Sequence, residues 1–172
     1  ETLVRFFMSQ NIITCQFILS IKQKKKIKEW IYHKPEIHHA VEFLSEVFQI
    51  QITSDPDVVK GFERDSSNIP GNAEILCYPI NNNECSVILT YCRGAKIPLT
   101  IAAGRTNLNG STTPNGGMVM SIEKMTLPGA KLNLNARCIS SPVGIYLEDM
   151  RNAALQQSHN RLHFPVDPTS RR

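Results

Sequence analysis

The sequence predicts an α+β domain in which a βαβ unit leads into a glycine-rich loop. Three observations carry this prediction. An apolar run, Glu74-Ile75-Leu76-Cys77-Tyr78, stops at Pro79, and a second, Ile97-Pro98-Leu99-Thr100-Ile101, begins after a helix-length interval. Within that interval Ile88, Leu89, Tyr91 and Cys92 recur at helical spacing up to Gly94. After the second run comes IAAGRTNLNGSTTPNGG at residues 101–117, followed by a third apolar run, Met118-Val119-Met120.

The elements follow in order. The first 30 or so residues are expected to be the least ordered. Residues 35–49 place Ile37, Ala40, Val41, Phe43, Leu44, Val47 and Phe48 on one helical face, with Pro35 in the first turn. Asp55-Pro56 reads as N-cap and first helical residue of a short helix reaching Glu63, with Asp57 at its positive end. Strand 74–78 ends at Pro79, Asn82 or Asn83 caps the next helix, and 97–101 is the following strand. Residues 118–122 form a further strand, 131–138 alternate as a strand does, and 143–147 read as another. Residues 147–158 read as a helix with Met150, Ala153, Ala154 and Leu155 inward. Pro165 and Pro168 keep 163–170 extended. A soft boundary near Thr53 separates a leader, 1–53, from the main domain, 54–172.

The chain has 172 residues, 41% of them hydrophobic, enough for one domain with a real core. Its net charge of +4 is concentrated in the Lys22 to Lys28 cluster and does not by itself indicate nucleic-acid binding. Lys24-Lys25-Lys26 read as a solvated patch rather than a lipid or nucleic-acid contact. Five cysteines with no CxxC pair exclude a complete disulfide framework and favour a reducing compartment. They read as small buried hydrophobes, and Cys85 and Cys92 share a helix face. The apolar stretch before residue 21 is interrupted by Arg5, Gln10, Asn11 and Gln16, which is too polar for a membrane span. The basic cluster follows that stretch instead of preceding it, unlike a secretory signal. The expected location is the cytoplasm, with a peripheral membrane position left open.

The loop carries the chemistry. Small residues between two strands let several backbone N–H groups approach one anion, which is what a phosphate requires. Arg105 lies within it and offers a charge-assisted bond. The loop is not GxxxxGK[ST], and a strand rather than a helix follows, so it is not the dinucleotide fingerprint GxGxxG. A polar connection with turn chemistry at Pro114-Asn115-Gly116-Gly117 is the plainer alternative.

Other groups carry less. His33, His38 and His39 cluster with Glu36, but adjacent histidines on a helix point to different faces, so no metal site is expected. His159 and His163 read as surface residues. Ser66 and Ser67 beside Asp65 suit a turn, not a nucleophile. Asn109-Gly110-Ser111 is a chance glycosylation sequon.

The run Ile97-Pro98-Leu99-Thr100-Ile101-Ala102-Ala103-Gly104-Arg105-Thr106-Asn107-Leu108-Asn109-Gly110-Ser111, with Pro114 and Gly116-Gly117, resembles the FAD pyrophosphate loop of FAD-linked oxidases of the vanillyl-alcohol oxidase and p-cresol methylhydroxylase (PCMH) type. The glycolate oxidase flavoprotein subunit and the FAD-linked D-lactate dehydrogenases are the most similar members. Asp65-Ser66-Ser67 with Tyr78-Pro79 resembles the family's opening strand, and Ser121-Ile122-Glu123-Lys124-Met125 a later strand end. Phe164-Pro165-Val166-Asp167-Pro168-Thr169-Ser170 resembles the turn beside the flavin.

The resemblance covers about two-thirds of the chain, from near Asp55 onward. It departs at Arg105, where a glycine is usual, at Ser111, and by one additional residue in Ser141-Pro142-Val143-Gly144-Ile145. The Arg105 side chain must either turn from the phosphate or pair with it.

The resemblance implies a PCMH-type FAD-binding domain, its first βαβ-containing subdomain and the start of the second, as the amino-terminal part of a longer flavoprotein. It implies non-covalent FAD and hydride transfer from a glycolate- or D-lactate-like 2-hydroxy acid to the flavin. Ile101, Ala102, Ala103, Gly104, Arg105, Thr106, Asn107, Leu108, Gly110 and Ser111 would hold the cofactor. Asp167, Pro168, Thr169 and Ser170 would lie beside it. It assigns no catalytic residue, no electron acceptor and no metal here. A non-catalytic nucleotide- or anion-binding module, or an inactive remnant, is the alternative.

Overall fold

The computed structural model describes residues 19–165. Asp167, Pro168, Thr169 and Ser170 therefore lie outside the described residues, as do residues 1–18.

Helix α1, Ile21–His33, is started by a reciprocal cap in which Ser20 accepts from the Gln23 N–H and the Gln23 side chain accepts from Ser20. Its lysines face solvent while Ile27 is buried. Contrary to the expectation of least order over the first 30 or so residues, this helix is tied to the main core through Leu19 and Ile27. Helix α2, His39–Glu42, runs directly into a π-helical turn, Phe43–Val47. The expected single helix over 35–49 is shortened at its start, where residues 36–38 form a turn.

Strand β1, Gln51–Thr53, precedes α3, Pro56–Val59, which tightens into a 3₁₀ turn, Lys60–Phe62. Asp55 caps α3 as expected, its carboxylate accepting from the Asp57 N–H at 3.0 Å. Strand β2, Ile75–Tyr78, leads to α4, Asn82–Ala95, and then to β3, Leu99–Ala102. The cap of α4 is Asn81, one residue before the expected positions, accepting from Glu84 N at 2.9 Å. Strand β4 is Met118–Ser121.

The four strands form one sheet in the order β1-β2-β4-β3, with β1 antiparallel to β2 and the β2/β4 and β4/β3 pairs parallel. Alternation decides which side chain faces which layer. Ile75 and Cys77 of β2 and Met118 and Met120 of β4 meet α1, α4 and Phe43 on one face. Leu76, Val119 and Ala102 meet Val59 and Phe62 on the other. Strand β4 is buried at all four positions, as a central parallel strand covered on both faces must be. Phe43 stacks between Trp30 at 4.8 Å and Tyr91 at 5.4 Å, joining α1, the π turn and α4.

Beyond the sheet, the run expected as one strand over 131–138 is a hairpin, β5 Lys131–Asn133 paired with β6 Cys138–Ser140. Residues 134–137 turn the chain, with Arg137 at φ 49°. The strand expected over 143–147 is absent. Val143-Gly144 form a turn, held by Gly144 N–H donating to Met125 O at 3.0 Å. A Cβ on Gly144 would lie 2.5 Å from Ile122 O, so close backbone approach replaces the strand. Helix α5, Leu147–Gln157, forms as expected, with Ala154 buried. Among the described residues no helix is long and apolar enough to cross a membrane.

Candidate functional site: the 103–117 loop

Strands β3 and β4 are parallel neighbours, so the chain leaving Ala102 must return along the length of the sheet before Met118 can pair. A tight hairpin cannot do this. Residues 103–117 make the return in two parts with different jobs.

The return leg, 113–117, is built by close backbone approach. Asn72 N–H donates to Pro114 O at 3.0 Å, Gly116 N–H to Asn72 O at 2.9 Å, and Glu74 N–H to Gly117 O at 2.8 Å. The Glu74 carboxylate accepts from Gly117 N–H at 3.2 Å. Gly117 has φ 74°, and a Cβ there would sit 2.3 Å from Pro98 O. Gly71 has no room for a side chain either, since its Cβ would fall 2.5 Å from Pro114 O.

The head, 103–112, hangs on one buried carboxylate. Asp65 accepts from Ser67 N–H and Oγ with one oxygen. With the other it accepts from the Asn107 side-chain amide and from Thr112 N–H, the latter at 3.3 Å. Thr112 Oγ1 donates to Asn107 Oδ1 at 2.9 Å, and Asn109 Oδ1 accepts from Ser111 N–H at 3.1 Å. Hydrogen bonds from Ser67, then from Asn107 and Thr112, outweigh the effect of burial and hold Asp65 down to about 2. Ser66 adds a second tie, its N–H and Oγ both donating to Arg105 O at 3.1 and 3.2 Å.

Arg105 resolves the two options left by the sequence. Its backbone is left-handed, φ 53°, which explains the glycine usual at this position. Its guanidinium lies 3.9 Å over the Phe62 ring and donates to Gly61 O. The charge is thus turned to the α3 side of the loop, leaving the apex small.

What remains exposed is backbone. No acceptor among the described residues takes the N–H groups of Ala103, Gly104, Arg105, Thr106, Asn107 or Leu108. Ala103, Gly104, Thr106 and Leu108 are exposed, whereas Ala102 is buried under the sheet. Small side chains, consecutive free donors and an anchored base fit an anion such as a diphosphate. Ile101 is half exposed on the edge strand, Gly110 has φ 74° against Ile69, and Ser111 is exposed at the turn. The Asn107 side chain, by contrast, is committed to the Asp65 clamp.

Sequence reasoning missed Asp65 as the clamp and Phe62 as the Arg105 platform. Neither has a local signal, for Asp65 meets Asn107 across 42 positions of chain. A cavity of about 720 Å³ was missed too; it lies between the start of α4 and the β5–β6 hairpin. Asn81, Met125, Leu127, Lys131, Ser140 and Val143 are among its walls, and no residue of 101–117 is.

Cys77, Cys85, Cys92 and Cys138 are free thiols. Burial pushes Cys77 well up and Cys92 up to about 12, which makes both inert, as expected of small buried hydrophobes. Cys138 instead is exposed and Cys85 half-buried. His38 and His39 do not point apart as expected: although His38 has helical dihedrals, their ring centroids are 4.0 Å from each other.

No protein-family model matches the chain. It is 28% identical to a D-lactate dehydrogenase of Anaerostipes hadrus over 83% of its own length and 30% of the relative's. It is 30% identical to a D-lactate dehydrogenase of Archaeoglobus fulgidus over 55% of its length and 20% of the relative's. The chain therefore spans less than a third of these relatives. Among solved structures it is similar to a glucooligosaccharide oxidase from Acremonium strictum that carries 6-S-cysteinyl, 8α-N1-histidyl FAD. That likeness has a TM-score of 0.53 at 11% identity, over 64% of this chain and 24% of the other. The chain resembles FAD-linked oxidoreductases of the PCMH type and has the fold of part of their FAD-binding domain.

Proposed function

We propose that loop 101–117 holds the diphosphate of FAD within a flavin-dependent oxidoreductase acting on a small 2-hydroxy acid. The observation that carries this is the row of backbone donors at 103–108, without acceptors among the described residues and in a loop pinned by Asp65. Bound FAD supplies the redox chemistry, accepting a hydride equivalent from the carbon that bears the substrate hydroxyl.

The chain's own residues bind and orient. The N–H groups of Ala103, Gly104, Arg105 and Thr106 would donate to diphosphate oxygens, and the Thr106 hydroxyl would add a bond. Asn107, Leu108, Gly110 and Ser111 complete the turn, with Asn107 working through Asp65 and not directly. Ile101 and Ala102 fix the loop's start on the sheet. The resemblance also assigns Asp167, Pro168, Thr169 and Ser170, outside the described residues, to the cofactor. Residues 101–117 contain no histidine or cysteine, which supports non-covalent attachment by this loop. The likeness to two D-lactate dehydrogenases supports a 2-hydroxy acid as substrate. The unpaired thiols support a reducing compartment such as the cytoplasm.

Titration of the chain with FAD, ADP and riboflavin tests the reading. FAD and ADP should bind and riboflavin, which lacks the diphosphate, should not. Ala103→Asp puts a negative charge beside the donors and should weaken FAD about tenfold or more. Binding of riboflavin as tight as FAD, or indifference to Ala103→Asp, overturns it. ADP binding with no flavin in the native full-length protein favours a non-redox anion module.

A further inference from the structure

At the junction of α1 and α2, Pro35 follows the last hydrogen bond of α1, Lys34 N–H to Trp30 O at 2.8 Å. The chain then turns, with His39 N–H donating to Glu36 O at 3.1 Å. This turn folds the Glu36 carboxylate back over two imidazoles. Glu36 Oε2 lies 3.3 Å from His38 Nε2 and 3.6 Å from His39 Nε2. One ligand atom from each of the three residues falls within 4.8 Å of the others. Zinc bonds of about 2.0–2.1 Å in a tetrahedron separate neighbouring ligand atoms by about 3.4 Å, so two of these edges already have the required length.

A second feature points the same way. His39 Nδ1 lies 3.7 Å from Glu42 Oε2, and that carboxylate is itself held by Lys34 Nζ at 3.1 Å. A carboxylate beside the far nitrogen, once drawn in by a few tenths of an ångström to hydrogen-bond distance, fixes the tautomer and aim of a metal-bound histidine. The Glu36 and His38 side chains are about two-thirds exposed, which leaves a fourth coordination position open to water.

We propose that Glu36, His38 and His39 form a binding site for a divalent transition-metal ion, zinc being the type, with Glu42 orienting His39. Two neutral imidazoles and one carboxylate suit zinc, nickel and copper over calcium or magnesium. The ion joins the α1–α2 turn to the first residue of α2. It is independent of the flavin reading.

Calorimetric titration of the full chain with zinc, alongside imidazole NMR, tests the site. One equivalent should bind, with the His38 and His39 ring signals shifting and the melting temperature rising. Glu36→Gln and His38→Ala, both at exposed positions, should each weaken that binding about tenfold or more without altering the circular dichroism. Glu42→Gln, which removes only the orienting carboxylate, should weaken it about tenfold. Failure to bind zinc, or an isotherm unchanged in the His38→Ala/His39→Ala chain, overturns the proposal. The second outcome would place the ion elsewhere, for example on the exposed Cys138.

Discussion

At Arg105 two opposing effects meet in one residue. A left-handed backbone disfavours any side chain by about 1–2 kcal/mol, while stacking on Phe62 returns about 0.5–1 kcal/mol. Arg105→Gly removes both and should leave the melting temperature nearly unchanged. Arg105→Ala loses the ring contact without relieving the backbone and should destabilise by about 1 kcal/mol, read as a fall of about 2–4 °C. Asp65 behaves differently, because its partners all favour the carboxylate. A folded-state value lowered from 3.8 to about 2 makes its contribution complete above pH 3.8 and lost as pH falls through 2. Thermal melts between pH 4 and pH 2 should therefore fall more steeply for the wild type than for Asp65→Asn. At neutral pH the same substitution should loosen the loop and weaken FAD, since an amide NH₂ would face the Asn107 amide and the Thr112 N–H. Gly117→Ala is the severest of these changes. Its Cβ meets a backbone carbonyl that cannot move aside, so a loss of about 3 kcal/mol or more is expected in denaturant melts.

Among the elements, α4 holds the sheet and the first core together, and its start is set by Asn81. Asn81→Ala removes the bond to Glu84 N–H and should lower stability by about 1 kcal/mol, checked by urea unfolding at constant slope. This helix was legible in sequence because its apolar spacing and capping asparagines are local, although it runs one residue past the expected Gly94 to Ala95 and closes on a left-handed Lys96. Helix α3 was legible for the same reason, through Asp55-Pro56. The misread elements have equally physical causes. Residues 131–138 alternate on both sides of a turn, so periodicity alone cannot show where one strand becomes two. Residues 143–147 have strand-like composition, but Gly144 is drawn against Ile122 O by a contact made across the chain. In the loop, the composition of 103–117 fits an anion site and a plain polar connection alike. The partition into a clamped head and a return leg depends on Asp65, Asn72 and Glu74, none of them within the loop.

Across the whole molecule, one core joins α1 and the π turn to both parallel strand pairs. Ile27→Ala should therefore weaken the entire domain, by about 2–4 kcal/mol, in a single cooperative transition and not by fraying α1 alone. Gly94 marks the same contact from the other side, since a Cβ there would lie 2.7 Å from Ile31 Cδ1. By itself the sequence determined the α+β class, the β2–α4–β3 unit, the capped α3 and a long loop of mostly small and polar residues after β3. Each depends on neighbours in the chain: spacing, caps and small residues. Only the tertiary structure decided that β4 inserts between β2 and β3, which forces the loop to run the length of the sheet. It alone turned Arg105 onto Phe62, made Asp65 the clamp and set His38 beside His39. The first two follow from contacts between residues far apart in the chain and the third from side-chain rotamers on a helical backbone, neither of which local periodicity encodes.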